Sequence, residues 1–327
     1  MCETEVPAVQ IPPVDKTHGV LALGCWSFGG DAWGNQNESD SFAAMEAALE
    51  AGMNHFDTAE AYGRGLSEEL IGRFMKNRRE SLFVATKGFP PRREPDRITA
   101  ATIKEKVDAS LARLGTDYID LYYIHWPLKG RDMRPFMEGL EDYRRAGKVR
   151  AIGVSNFAPE QMDELSQAGR IDAHQFAYNI LWRYPERDVI PYCVEHKIAV
   201  VTYSSIAEGI LTGKFPLDVK FGRGDHRASS LYFEAGVWPQ VHAAVERMKT
   251  VAEDVGRPLT HLAIRWVAEQ TGITSVLVGA RNAEQVSQNA AAMTGDIPQE
   301  AFDRLTEISE QIMKDIPDAG NIFRFYP

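Results

Sequence analysis

Four ionisable residues in the first 125 positions could do chemistry together. Asp57 and Tyr62 lie in His55-Phe56-Asp57-Thr58-Ala59-Glu60-Ala61-Tyr62-Gly63. Lys87 sits near the end of Leu82-Phe83-Val84-Ala85-Thr86-Lys87-Gly88, and His125 follows Ile119-Asp120-Leu121-Tyr122-Tyr123-Ile124. A tyrosine is a poor acid at neutral pH because its ordinary pKa is about 10. An ammonium beside it favours the tyrosinate, and a carboxylate keeps that ammonium charged and in place. A histidine can donate to an oxygen that gains negative charge during reaction. The combination suits proton transfer to or from a substrate oxygen, with Tyr62 as acid or base, Lys87 as its tuner, Asp57 as the anchor of Lys87 and His125 as the orienting donor. Singly, each has an ordinary structural reading: a turn or cap carboxylate, an anchored aromatic, a solvated strand end, a satisfied histidine. The joint placement favours function.

That placement depends on the elements around them. Each apolar run reads as a short strand buried on both faces, as in parallel sheets. The predicted strands are Val20–Gly24, Met53–Asp57, Leu82–Thr86, Ile119–Ile124, Ala151–Val154, His174–Phe176, Ala199–Tyr203 and Ser275–Gly279. Helical periodicity fills the gaps at 40–51, 100–114 (Thr99 as N-cap, Gly115 past the end), 135–146 and 159–168. Further helices are expected at Pro239–Val255, Pro258–Glu269 and Ala283–Met293, with a last one carrying Phe302, Leu305, Ile308 and Ile312. Eight β-then-α units imply a parallel barrel or a doubly wound sheet. No GxGxxG follows the first strand, which favours the barrel. The expectation is one α/β domain over residues 1–327, a (β/α)8 TIM barrel with extra C-terminal helices and a long loop, 213–238, after strand seven. The catalytic face would then be the C-terminal end of the strands. Residues 1–17 are expected to cover the barrel floor.

Composition narrows the function classes. The chain has 327 residues, 44% hydrophobic and 25% charged, with net charge −10. This argues against a nucleic-acid surface, which needs a basic face. No apolar run approaches the roughly 18 residues of a membrane helix, and the acidic start, Met1-Cys2-Glu3-Thr4-Glu5, does not read as a signal peptide. Cys2, Cys25 and Cys193 form no CxxC pattern and suit a cytoplasmic setting. Neither HxH nor HExxH occurs, so no metal is expected. Asn37-Glu38-Ser39 and Arg223-Gly224-Asp225 are read as chance matches to glycosylation and adhesion motifs. Oligomeric state is not encoded in any pattern here.

The strings resemble the aldo-keto reductases, in particular the bacterial-type branches related to potassium-channel β subunits, from about residue 20 to 293. The similarity rests on Gly52-Met53-Asn54-His55-Phe56-Asp57-Thr58-Ala59 with Tyr62-Gly63, continued by Ser67-Glu68-Glu69-Leu70-Ile71-Gly72. It rests also on Gly147-Lys148-Val149-Arg150-Ala151-Ile152-Gly153-Val154-Ser155-Asn156-Phe157, on the stretch from Tyr203 to Lys214, and on Gly279-Ala280-Arg281-Asn282-Ala283-Glu284-Gln285 with Asn289.

The resemblance implies reduction of an aldehyde or ketone to an alcohol by hydride transfer from NADPH, with NADH as a second candidate. It implies Asp57, Tyr62, Lys87 and His125 as the catalytic set. Ser155, Asn156 and Gln175 would hold the nicotinamide carboxamide, and Tyr203 would stack on its ring. Ser204, Ile206, Glu208 and Lys214 would meet the pyrophosphate or its cover, Arg281 and Gln285 the 2′-phosphate, and Asn289 the adenine. Gly24, Cys25, Trp26, Asp57 and Gly279 complete the cofactor set. Trp26, Tyr62, Phe89, His125 and Trp126 would border the small carbonyl substrate, with Trp33 and Tyr232 adding aromatic lining. The sequence departs from the family pattern at Ser205, where proline is common, at Glu208, where glutamine is common, and at Val276-Leu277-Val278. Gly279 and Ala280 replace the lysine and serine of the animal branches. An alternative is an NADPH-binding regulatory or redox-sensing protein of potassium-channel β-subunit type. The short stretch before the barrel favours the enzyme.

Overall fold

The computed structural model describes residues 6–30, 36–91, 94, 97–222 and 224–324. Met1–Glu5 with Cys2, Trp33 and Arg223, all singled out above, lie outside the described residues. Eight parallel strands close a barrel in sequence order: β1 (Leu21–Gly24), β2 (His55–Asp57), β3 (Phe83–Gly88), β4 (Ile119–Ile124), β5 (Val149–Ser155), β6 (Ala173–Ala177), β7 (Ala199–Tyr203) and β8 (Ile273–Gly279). β8 returns to β1 in register, Val276 against Leu21 through Gly279 against Gly24. The expected strands all form; β2 starts later, at His55, because Met53 N–H donates to Ala48 carbonyl 2.8 Å away in the preceding turn.

The helices are α1 (Glu38–Glu50), α2 (Leu66–Phe74), α3 (Ala100–Leu114), α4 (Arg134–Arg145), α5 (Pro159–Ser166), α6 (Val189–Glu195), α7 (Trp238–Asp254), α8 (Leu259–Ala268), α9 (Ala283–Ala290) and α10 (Gln299–Ile312). Thr99 caps α3, its hydroxyl accepting from Thr102 N–H at 3.2 Å, and Gly115 ends it with φ 62°. Two helices, α7 and α8, separate β7 from β8. α10 lies on α7, where Arg304 pairs with Asp254 at 2.8 Å and Arg247 donates to Gln311 at 2.8 Å. Between β7 and α7 the described residues make short helical turns at Ala207–Thr212, His226–Ser229 and Leu231–Phe233. Among the described residues, no helix is long and apolar enough to cross a membrane.

Two apolar layers hold the barrel. One lies between strands and helices. The other fills the interior with Ala22, Phe83, Ala85, Leu121, Tyr123, Ala151, Ala173, Val201 and Leu277. Ile11 and Val14 join this inner layer from a short hairpin, Ala8–Val9 paired with His18–Gly19, so the N-terminal segment does close the floor. A buried carboxylate ties it down: Asp120 meets Lys16 at 3.1 Å, Arg79 at 2.8 Å and Arg150 at 3.5 Å. The sealed floor leaves the opposite end, where the strands finish, as the open end of the barrel.

Candidate active site

Asp57 is the last residue of β2 and pairs in register with Gly24 of β1 and Ala85 of β3. The chain then turns so that Tyr62 comes back over the barrel. That turn needs Gly63, which has φ 58° and leaves no room for a side chain: a Cβ there would fall 2.3 Å from Gly29 carbonyl oxygen. Ser67 pins the turn, accepting from Thr58 at 2.8 Å and donating to Cys25 carbonyl at 2.9 Å. Lys87 in β3 lies beneath Tyr62 and is 1% exposed. Its ammonium donates to Asp57 Oδ1, to Thr58 carbonyl at 2.8 Å and to Tyr62 OH at 3.4 Å. Gln175 of β6 donates to the other Asp57 oxygen at 2.8 Å. His125 stands just past β4, its ring 6.1 Å from that of Tyr62 and 4.2 Å from that of Phe89.

Burial dominates the electrostatics. It raises the pKa of Asp57 and lowers that of Lys87, and the attraction between them opposes both shifts. The Tyr62 phenol is pushed well above its ordinary value, by burial first and then by the Asp57 charge. The downward pull of Lys87 expected from the sequence is therefore outweighed, and Tyr62 keeps its proton at neutral pH. His125 is pushed well below its ordinary value by burial and by the Lys87 charge. At neutral pH it is a neutral imidazole with one N–H to donate.

A cleft of about 1420 Å³ opens above these groups and runs from Trp126 past Tyr62 to α9. Apart from Trp33 and Tyr232, expected as extra aromatic lining, the residues assigned to cofactor and substrate from the sequence line it, from Gly24, Cys25 and Trp26 through Ser155, Asn156 and Gln175 to Arg281, Gln285 and Asn289. Of the four candidate catalytic residues, Lys87 alone does not, being covered by Tyr62. Tyr203 closes β7 and donates to Asn156 Oδ1 at 2.7 Å. Asn156 (φ 65°) in turn donates to Ser155 hydroxyl at 2.9 Å, so three candidate contacts form one chain. Asn289 donates to Gly279 carbonyl at 3.2 Å. Arg281 donates to Gln36 at 3.1 Å, and Gln36 donates back to Arg281 carbonyl at 2.8 Å.

Tyr232 corrects one expectation. It is fully buried beneath the cleft, with its hydroxyl 3.3 Å from the Asn179 amide, and does not line the pocket. His226 and Phe323 supply aromatic lining instead. Phe323 lies parallel to Tyr203 at 6.0 Å, and the His226 ring is 4.9 Å from Trp26 and 5.0 Å from Phe323. Sequence reasoning missed both, and also Gln36. They come from the long loop, the C-terminal segment and the stretch before α1, where no periodicity or motif points to the mouth.

The sequence profile described as the aldo/keto reductase family matches residues 20–310. The chain belongs to that family. It is 37% identical over 272 residues to the aldo-keto reductase YhdN of Bacillus subtilis, covering 81% of this chain and 82% of that protein. It is 31% identical over 325 residues to the NADH-specific methylglyoxal reductase of Escherichia coli, covering 93% and 98%. The glycerol dehydrogenase of Gluconobacter oxydans has a similar structure, with TM-score 0.82 and 31% identity over 95% of this chain and 96% of that one. Membership makes this reductase fold an oxidoreductase scaffold whose open end carries the cleft just described.

Proposed function

We propose that the chain reduces a small aldehyde or ketone to an alcohol with a nicotinamide dinucleotide as reductant. The observation that carries this is the buried Lys87 ammonium, which reaches both Asp57 and Tyr62 OH at the floor of a long cleft. The cleft fits a dinucleotide by its chemistry. Amides of Asn156 and Gln175 and the Tyr203 ring lie near Tyr62. Arg281 lies at the far end, just before α9, where an N-terminal dipole favours anions. When bound, the dinucleotide supplies a hydride. In this reading Tyr62 gives its proton to the carbonyl oxygen as charge builds there, His125 donates a second hydrogen bond to the same oxygen, and Lys87 stabilises the tyrosinate left behind. Asp57 holds Lys87 charged. In the reverse direction Tyr62 accepts the alcohol proton.

Arg281 supports NADPH over NADH, because a guanidinium suits the phosphate that distinguishes them. NADH remains the second candidate, and the name of the Escherichia coli relative shows that the family admits it. Trp26, Phe89, Trp126 and Phe323 give the substrate end aromatic walls suited to a small carbonyl compound. The decisive experiment follows oxidation of NADPH and NADH against a panel of aldehydes, ketones, sugars and quinones that includes methylglyoxal. Turnover with one class identifies the substrate. Tight dinucleotide binding without turnover on any of them would instead favour a redox-sensing role.

A further inference from the structure

Glu208 occupies an unusual position in this cleft. It lies in the turn after β7, where three successive residues have positive φ: Ala207 at 48°, Glu208 at 56° and Gly209 at 91°. Only the glycine adopts this region without strain. The turn buries the carboxyl, whose side chain is 1% exposed although the residue lines the cleft. Neither carboxyl oxygen accepts a hydrogen bond of normal length among the described residues, and the buried Ser230 hydroxyl beside it also has none. Among the described residues, the nearest basic atom is Nε2 of His226, 3.6 Å from Oε1. A buried carboxylate that accepts no hydrogen bond is costly; it is either protonated or served by a ligand. Yet the ligand expected in this half of the cleft carries a diphosphate, which a carboxylate repels.

We propose that Glu208 couples dinucleotide binding to a proton: the cleft accepts the ligand with Glu208 as the neutral acid, a donor into the cleft in place of a repelling charge. This rests on the reading of the cleft as a dinucleotide site. The surroundings favour the acid form near neutrality. Burial above all raises Glu208, to about 7 once the downward pull of the neighbouring Ser230 hydroxyl and of the Arg227 charge and the smaller upward push of Asp225 are included. The groups facing it come from several elements. His226, Arg227 and Asp225 belong to the loop before α7, and Lys214 follows the turn. The phenols of Tyr203 and Tyr232 feel its charge from β7 and from below, and His261 of α8 lines the same cleft. Of these, His226 and His261 titrate below their ordinary value because of burial, so they do not account for a change above pH 7.

Linkage gives the sign. Above pH 7 free Glu208 loses its proton and must regain it on binding, so affinity falls toward ten-fold per pH unit, or about 50-fold between pH 7 and 9. Below about pH 6 this contribution is flat. The test is direct calorimetric titration of NADH, which lacks the extra phosphate that titrates near pH 6. Wild type and Glu208→Gln, which preserves the side-chain shape, are measured from pH 6 to 9 in two buffers of different ionisation heat. Wild type should lose about 50-fold in affinity between pH 7 and 9 and take up about half a proton at pH 7, approaching one at pH 9. Glu208→Gln should vary less than about three-fold and take up none. A flat wild-type profile with no proton uptake overturns the proposal even if the variant does not fold, and so does an equal slope in both proteins. Absence of NADH and NADPH binding by wild type at every pH overturns the dinucleotide reading itself, and the proposal with it.

Discussion

Replacing Asp57 by Asn should destabilise the fold in a way that depends on pH. The substitution keeps the shape and removes the charge that answers the Lys87 ammonium. Lys87 keeps Thr58 carbonyl at 2.8 Å and Tyr62 OH at 3.4 Å, but at 1% exposure it has no water to replace the carboxylate. A buried charge left unpaired in this way costs about 3–5 kcal/mol. The cost has a ceiling, because the lysine can instead release its proton. From its ordinary 10.5 that costs about 1.4 kcal/mol per pH unit, or about 4.8 kcal/mol at pH 7. The two routes agree on about 4 kcal/mol. The folded pKa of Lys87 is depressed, so the lost stability returns as pH rises toward the unfolded value, at most about 1.4 kcal/mol per unit. Urea unfolding of wild type, Asp57→Asn, Lys87→Met and the double variant at pH 7 and 9.5 measures this. Asp57→Asn should lose about 4 kcal/mol at pH 7 and under about 2 kcal/mol at pH 9.5, and adding Lys87→Met should restore part of the loss at pH 7. An equal loss at both pH values, or strict additivity in the double variant, would show that Lys87 is not held charged by Asp57.

Tyr62→Phe should lower turnover by at least about 100-fold while dinucleotide affinity stays near wild type; turnover within a few-fold would assign the proton to another group. Arg281→Ala should weaken NADPH by roughly 10- to 150-fold, the worth of a charge-assisted bond, and leave NADH nearly unchanged. Both constants are measurable by quenching of tryptophan fluorescence, and equal losses would show that Arg281 does not read the 2′-phosphate. His18 and His55 are buried with ring centroids 4.7 Å apart, and burial lowers the pKa of both. Their contribution to stability is present above the unfolded value of about 6.5 and fades as pH falls below it. The urea midpoint of His55→Leu should therefore drop less than that of wild type between pH 7.5 and 5; parallel drops would place acid sensitivity elsewhere.

What could be read from the sequence was what repeats or alternates. Ile119–Ile124 and Ala199–Tyr203 form strands with the expected bounds, because a strand buried on both faces is a continuous apolar run. The clustering of Asp57, Tyr62, Lys87 and His125 was legible because each comes at or just after the same end of such a run. The helices Leu66–Phe74 and Val189–Glu195 were not singled out; both are short and carry few periodic positions. Tyr232 was misplaced because its position in a loop says nothing about which side of that loop faces inward. Gln36 meets Arg281 across 245 positions of sequence, and Phe323 reaches Tyr203 from the other end of the chain. The closure of β8 on β1 brings Gln36 to Arg281 and the return of the C-terminal segment brings Phe323 to Tyr203, and local pattern carries neither.

That closure also shapes the lip of the barrel. Where β1 meets β8, the last register pair is Gly24 opposite Gly279. A Cβ added at Gly24 would come no closer than 3.7 Å to its nearest neighbours, the backbone of Val278 and Gly279, and one added at Gly279 no closer than 4.0 Å to Gly24 carbonyl oxygen. The wall therefore ends there in bare backbone, a low point in the rim. In the proposed reading, an extended dinucleotide would cross this low point between Tyr62 and α9, which line the same cleft. A bulky side chain at Gly279 would thus act as a sieve by length, refusing extended occupants while leaving the small compartment around His125 open.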